Sequence, residues 1–87
     1  MAFSAARVAI GTAATYINGT DIQPMQLWVH NNDSNSDIWL GGADVTQNNG
    51  LLLGKLETIF LTILPGNYLY AAAGKDPHFI SYLAQRF

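Results

Sequence analysis

The stretch of residues 25–42 constrains the fold more than any other part of the chain. Two segments in which apolar and polar residues alternate flank a polar, turn-forming loop at residues 31–37. Alternation with a period of two is typical of half-buried β-strands, so we predict a β-hairpin. The predicted cross-strand pairs are Leu27–Leu40, Val29–Ile38, Trp28–Trp39 and His30–Asp37. This register directs the aliphatic residues toward a core and places both tryptophans together on the outer face.

The remaining segments also resemble short strands. Apolar or alternating runs occupy residues 7–10, 13–17, 51–53, 56–64, 68–73 and 78–84, and turn signals such as Asn18-Gly19 and Pro65-Gly66 separate them. Residues 56–64 and 68–73 are predicted to form a second hairpin. We therefore expect an all-β fold, a small antiparallel β-sandwich or jelly-roll-like domain of about seven or eight short strands. Residues 1–6 are predicted to be an N-terminal arm, and residues 7–87 a single domain.

The charge content limits the classes of partner. Only 11% of the 87 residues are charged and the net charge is −2, whereas an average domain has about 25% charged residues. Without a basic run, nucleic-acid binding is not expected. The apolar runs are too short to cross a bilayer, and the N-terminus lacks the basic region of a signal peptide, so no membrane partner is expected. A small domain with few charges to cover its surface is expected to associate with itself or with a larger body.

No catalytic, cofactor-binding or metal site is predicted. The serines lie outside any Gly-x-Ser-x-Gly elbow, and the glycines do not form a phosphate loop. Asp33, Asn35 and Asp37 have the spacing of a calcium loop, with Asp44 at its twelfth position. However, Ile38 occupies the sixth position, where such a loop needs glycine. A hairpin loop is therefore the preferred interpretation, and a calcium site is the alternative.

Trp28 and Trp39 are the leading candidates for a functional surface. Both lie opposite the aliphatic face by strict alternation, and aromatic residues dominate protein–protein interfaces. The alternative, equally open from sequence, is that another part of the monomer covers them. Phe3, Arg7 and Phe87 are added as further interface candidates, because the arm and a docked terminus could contribute to an apolar contact surface.

Several segments together resemble a recurrent small protein of tailed bacteriophages. The segments are Arg7-Val-Ala-Ile-Gly, Asp37-Ile-Trp-Leu-Gly-Gly, Asp44-Val-Thr-Gln-Asn-Asn-Gly-Leu-Leu-Leu, Leu64-Pro-Gly-Asn-Tyr-Leu-Tyr-Ala and Ile80-Ser-Tyr-Leu. The resemblance covers roughly residues 7 to 84. It implies a structural component of the virion, made in the bacterial host cytoplasm, with no catalytic residue to carry over. This chain departs from that pattern in its second tryptophan and its low charge.

The resemblance and the composition together favour a capsid decoration (minor capsid) protein that binds and stabilises the head shell. The expected partners are the major capsid protein or other virion proteins, and a homo-oligomer, favoured as a trimer. One alternative is a head-to-tail connector or tail structural protein. Another is a carbohydrate-binding β-sandwich, in which Trp28 and Trp39 form a stacking platform beside Asn31, Asn32 and Asp33.

Overall fold

A computed structural model describes residues 3–86 and confirms the all-β sandwich. The described residues form eight strands and no helix. The strands are β1 (Phe3–Ile10), β2 (Thr15–Thr20), β3 (Met25–Asn31), β4 (Ile38–Gly41), β5 (Leu51–Leu53), β6 (Thr58–Ile63), β7 (Asn67–Ala73) and β8 (His78–Arg86). Because no helix occurs in this part of the chain, none is present there that could span a membrane.

The strands form two four-stranded antiparallel sheets with jelly-roll connectivity. Sheet 1 has the order β1-β8-β3-β6, and sheet 2 has the order β2-β7-β4-β5. The first strand pairs with the eighth, the second with the seventh, the third with the sixth and the fourth with the fifth. This is the pairing of one long hairpin that has four consecutive strands in each arm and is rolled into a double sheet. The arrangement is the eight-stranded jelly roll.

The core lies between the two sheets and takes its residues from the inner face of each. On β3, Met25, Leu27 and Val29 point inward and are fully buried, while Trp28 between them points outward. Ile38 and Leu40 do the same on β4. The inward and outward positions predicted for these two strands are therefore confirmed. Ala71 and Ala73 of β7 also belong to this core and contribute small side chains to it.

Both predicted hairpins are wrong. β3 belongs to sheet 1 and pairs with β6 and β8, whereas β4 belongs to sheet 2 and pairs with β5 and β7. Likewise, β6 and β7 lie in different sheets. The loop of residues 32–37 and the turn at Pro65-Gly66 are real, but each carries the chain across the sandwich. Turn residues specify a change of direction and do not specify whether the next strand stays in the same sheet.

Two further local predictions also require correction. Residues 3–6 belong to β1 and pair with β8 over their whole length, so this part of the predicted arm is an edge strand. Asn18 and Gly19 do not form a turn, because both lie inside β2. The register with β7 shifts between Tyr16 and Asn18, which makes Ile17 the extra residue of a β-bulge.

Candidate functional site

The outer face of sheet 1 has an apolar row that crosses all four strands. In the observed register Ala5 of β1 lies opposite Leu83 of β8, Leu83 lies opposite Trp28 of β3, and Trp28 lies opposite Phe60 of β6. We call these four residues the apolar row. The rings of Trp28 and Phe60 are 4.8 Å apart between centroids and tilted by 40°, a spacing at which aromatic pairs attract each other.

The apolar row is accessible. Phe60 is 48% exposed to solvent and Leu83 is 37% exposed. An exposed apolar strip rimmed by polar groups is the anatomy of a protein contact surface.

Polar but almost uncharged side chains border the row on both sides. Gln26, Gln85 and Thr62 lie on one side, where Gln26 is opposite both of the others. On the other side His30 Nδ1 and Thr58 Oγ1 form a hydrogen bond of 2.7 Å. His30 therefore pairs with Thr58, and the predicted pair with Asp37 is wrong, since Asp37 lies 3.7 Å from Lys55 Nζ instead.

Arg7 is the single formally charged side chain on this face among the four described strands at neutral pH. It lies on β1 opposite Ser81, and its guanidinium carbon is 5.6 Å from the centre of the Phe79 ring. At this distance the cation and the aromatic face attract each other. Phe3, at the end of the same strand, is 63% exposed and lies opposite Gln85. The structure thus brings the candidates Phe3, Arg7 and Trp28 to one face, while Phe87 lies outside the described residues.

Trp39 is not part of this face. It points outward from sheet 2, opposite Leu52 and Ala72, on the other side of the sandwich from Trp28. The loop between β4 and β5 folds back over it: a Cβ added to Gly50 would lie 2.6 Å from Trp39 Cβ and 2.8 Å from Val45 Cγ2. Val45 is buried in consequence, and Ala72 is fully buried although it points outward. Trp39 and Trp28 are therefore both half-buried, and they lie on opposite outer faces of the sandwich.

The separation of the two indoles also removes the predicted sugar-stacking platform. Side chains on opposite outer faces cannot stack on one ligand. Asn31, one of the predicted sugar contacts, is completely buried. A saccharide site at these residues is therefore wrong.

Asn31 instead holds together a buried polar cluster. Its Nδ2 donates to the carbonyls of Ser36 at 2.9 Å and Gly54 at 3.0 Å. Its Oδ1 accepts from the Asp33 backbone N–H at 3.0 Å and from His78 Nε2 at 2.8 Å. Because an amide oxygen only accepts, His78 must carry its proton on Nε2. One side chain thus ties β3 to its following loop, to the β5–β6 turn and to β8.

His78 is buried in its neutral form. No atom of the described residues pairs with its Nδ1. Burial lowers the pKa of this ring, the nearby Asp33 carboxylate raises it, and Lys75 lowers it. Burial is the largest of these effects, so protonation is disfavoured in the folded state.

The carboxylate of Asp33 is fully engaged by the protein itself. One oxygen accepts from the backbone N–H groups of Asn35 and Ser36, and the other lies 2.5 Å from Lys75 Nζ. The hydrogen bond with Lys75 is the main cause that lowers the pKa of Asp33 to about 2, and the bond from Asn35 adds to it. The ionised Asp33 carboxylate therefore stabilises the fold above pH 3.8, and this stabilisation is lost as the pH falls toward 2. These bonds describe an Asx-type turn. The turn belongs to a loop that connects the two sheets, so the predicted hairpin loop is wrong.

The predicted calcium ligands do not come together as a group. Among residues 3–86 no three His, Cys, Asp or Glu side chains are arranged to hold a metal ion. Asp37 lies beside Lys55, and Asp44 lies in the later loop that covers sheet 2.

Three of the four members of the apolar row, namely Ala5, Phe60 and Leu83, were missed by the sequence prediction. By alternation Phe60 shares a strand face with Thr58 and Thr62, so its outward direction was readable. Leu83 shares a face with Ser81 and Gln85 in the same way. Their proximity to Trp28 depends on the pairing of β3 with β6 and β8, which the hairpin prediction excluded.

Comparisons with known proteins add no family to this description. No protein-family model, no curated protein and no solved structure matches the chain.

Proposed function

We propose that this protein is a structural component of a tailed-phage virion, a capsid decoration protein that attaches to the head shell through the outer face of sheet 1. The observation that carries the proposal is the apolar row on an open sheet face with one formal charge. A role of this kind requires no catalytic residue and no cofactor. It requires a stable fold and an apolar contact surface with a polar border. The outer face of sheet 1 provides such a surface.

The size of the face indicates how attachment would work. Four strands about 4.8 Å apart and about five residues long span roughly 15–19 Å by 17 Å, or about 300 Å² in projection. A stable interface between two proteins buries about 800 Å² on each partner. A single copy would therefore bind weakly, and firm attachment needs many copies on a repeated lattice or an oligomer that combines several faces.

The fold supports the proposal by analogy. Eight-stranded jelly rolls occur in viral capsid domains, and also in lectins and cupins. Because a fold hosts many functions, the contact surface carries more weight than the topology. The resemblance of residues 7–84 to small phage proteins points in the same direction.

Quantitative mass spectrometry of particles purified from the source of this sequence tests the proposal. We expect the chain in the particle at a copy number comparable to that of the major shell protein. A few copies per particle would favour the alternative, a connector or tail protein. Absence of the chain from purified particles would refute both.

A pair of variants tests the contact surface. Trp28→Ser removes the centre of the apolar row, and we expect at least a tenfold loss of binding to particles stripped of this protein. Ile22→Ser is the matched control, because Ile22 is 84% exposed on the loop between β2 and β3 and lies outside the row. Equal binding by both variants and the unchanged protein would show that sheet 1 is not the attachment surface.

Self-association is tested separately by light scattering over a range of concentrations. A trimer is the expected species, because a trimer that presents three such faces to the shell would bury about 900 Å² there, comparable to one side of a stable interface. A monomer at every concentration would remove the oligomer from the proposal and leave lattice avidity as the source of firm binding.

A further inference from the structure

A cavity of about 370 Å³ opens beside the strand pair β2–β7. Tyr16 and Gly19 of β2, Tyr68 of β7 and Arg86 at the end of β8 line it, together with the loop between β2 and β3. Its volume is within the usual range for small-molecule sites. The cavity has no residue in common with the apolar row, and nothing in the proposed attachment uses it.

The β-bulge in β2 builds one wall of this cavity. Because Ile17 is the extra residue, Tyr16 and Gly19 both pair with outward-facing positions of β7, namely Tyr70 and Tyr68. Gly19 leaves room for the ring of Tyr68: an added Cβ would lie 2.3 Å from its Cδ1 atom. Bulges commonly redirect side chains beside binding sites. The tyrosine ring can therefore lie across the neighbouring strand only because residue 19 has no side chain.

The aromatic walls are held in place before any ligand arrives. The hydroxyl of Tyr68 donates to Asp21 Oδ1. The ring of Tyr16 packs edge-on against Tyr70, with centroids 5.7 Å apart and planes at 72°. Such fixed walls reduce the entropy lost on binding.

The loop that closes the cavity is also anchored. Thr20 Oγ1 donates to the Gln23 carbonyl at 2.6 Å, and the Thr20 carbonyl accepts from the Gly66 N–H at 2.8 Å. Between these anchors Ile22 is 84% exposed, an apolar side chain at the rim of the cavity. An exposed branched aliphatic on a fixed turn is a ready contact for the apolar part of a ligand.

The polar groups of the cavity balance in charge. Asp21 and Arg86 contribute one negative and one positive charge, and the ion pairs found among residues 3–86 are Lys55–Asp37 and Lys75–Asp33. Asp21 keeps a second carboxylate oxygen as an acceptor, and Arg86 has guanidinium donors. The cavity thus offers donors and acceptors without net charge, between tyrosine rings. An ionic ligand of either sign would meet one group of its own charge.

We propose that this cavity binds a neutral saccharide. A pyranose has apolar C–H faces suited to tyrosine rings, and hydroxyl groups that both donate and accept, as Arg86 and Asp21 require. The site lies beside the β2–β7 pair of sheet 2, takes Arg86 from the end of β8, and differs in every residue from a platform at Trp28 and Trp39. It is independent of the proposed virion role, since it shares no residue with the apolar row.

A ¹H–¹⁵N NMR titration tests the site with glucose, galactose, mannose and N-acetylglucosamine as neutral probes, and glucuronic acid and glucosamine as charged probes. We expect at least one neutral sugar to shift the amide signals of residues 16–23, Tyr68 and Arg86, with a Kd of about 1–10 mM, typical of a single ring with few contacts. The charged analogues should bind more weakly than the neutral sugar.

Two variants assign the contacts. Tyr68→Phe removes only the hydroxyl that positions Asp21 and should weaken binding about 2- to 10-fold, the range for one hydrogen bond. Arg86→Gln should weaken it by a similar factor. Phe60→Ser, in the apolar row, is the control and should leave sugar binding unchanged while weakening particle binding.

Three outcomes would overturn the proposal. No shift at these residues with any sugar at about 100 mM would do so. So would tighter binding of a charged sugar than of every neutral one, or shifts confined to the face of sheet 1. None of these results would bear on the copy number in the particle, so the two proposals fail separately.

Discussion

Replacing Asn31 with alanine should be among the most destabilising single changes in this protein. The side chain is fully buried and makes four hydrogen bonds of 2.8–3.0 Å. At a net value of about 0.5–1.5 kcal/mol per bond, the loss amounts to about 2–6 kcal/mol. A domain of this length has a total free energy of unfolding of about 4–13 kcal/mol. At the midpoints of these two ranges the variant should lose about half of its stability.

The neighbouring residue provides a matched control for this prediction. Asn32 is partly exposed, and its amide makes one side-chain bond, from Nδ2 to Ser81 Oγ at 2.7 Å. Asn32→Ala should therefore cost only about 0.5–1.5 kcal/mol. Both variants remove the same chemical group one residue apart, so differences in composition or in the unfolded chain cancel.

Urea unfolding followed by circular dichroism measures both losses, with the slope m expected to stay constant. If Asn31→Ala has no folded baseline, the measurement is repeated with an added osmolyte, which strengthens effective burial. Equal losses for the two variants would refute the reasoning. They would mean that the Asn31 cluster is no more important than an ordinary surface bond.

Three further predictions concern single groups. The pKa of His78 lies below its usual 6.5 because the ring is buried. The unfolded chain therefore takes up this proton first, and the free energy of unfolding should begin to fall as the pH drops below about 6.5. In urea titrations His78→Gln should flatten this pH dependence, whereas the control His30→Gln should keep it. Leu56 has φ 57° and Gly66 has φ 87°, in the left-handed region that favours glycine. Leu56→Gly should therefore raise the free energy of unfolding by about 0.5–1 kcal/mol, and Gly66→Ala should lower it by about 1 kcal/mol. Changes of the opposite sign in calorimetry would contradict this account. Calcium or EDTA at about 5 mM should leave the melting temperature unchanged, because the carboxylate of the loop after β3 is already bonded to the protein; a shift of several degrees would restore the calcium site.

The direction of side chains could be predicted from sequence, because alternation is a local property of a strand. Leu27 and Val29 point inward and Trp28 outward, as the pattern indicated. The partner of each strand could not be predicted in the same way. Phe3 pairs with Gln85, at the other end of the described chain, and no local signal marks such a pair. The jelly-roll pairing arises from how two sheets bury their inner faces together, which is a property of the whole chain.

The same distinction explains which parts of the candidate sites were missed. Asn18-Gly19 has the composition of a turn, yet it lies in a strand where the missing side chain makes room for the ring of Tyr68. A glycine needed for a close approach and a glycine needed for a positive φ look identical in sequence. Asn31 also resembles the first residue of a polar loop. Only the approach of β8 and of the β5–β6 turn buries it and adds His78 and Gly54 to its hydrogen-bond partners.

The two proposed sites share no residue, and this has a consequence for the assembled particle. The apolar row lies on the outer face of sheet 1, whereas Tyr16 and Tyr68 of the cavity belong to sheet 2. Attachment through the apolar row would turn the outer side of sheet 2 away from the shell. The cavity at Tyr16, Gly19 and Tyr68 would then face the medium, where it could meet a saccharide on another surface. A particle-bound copy should therefore bind the sugar as well as the free protein does, because the shell contact and the cavity share no residue.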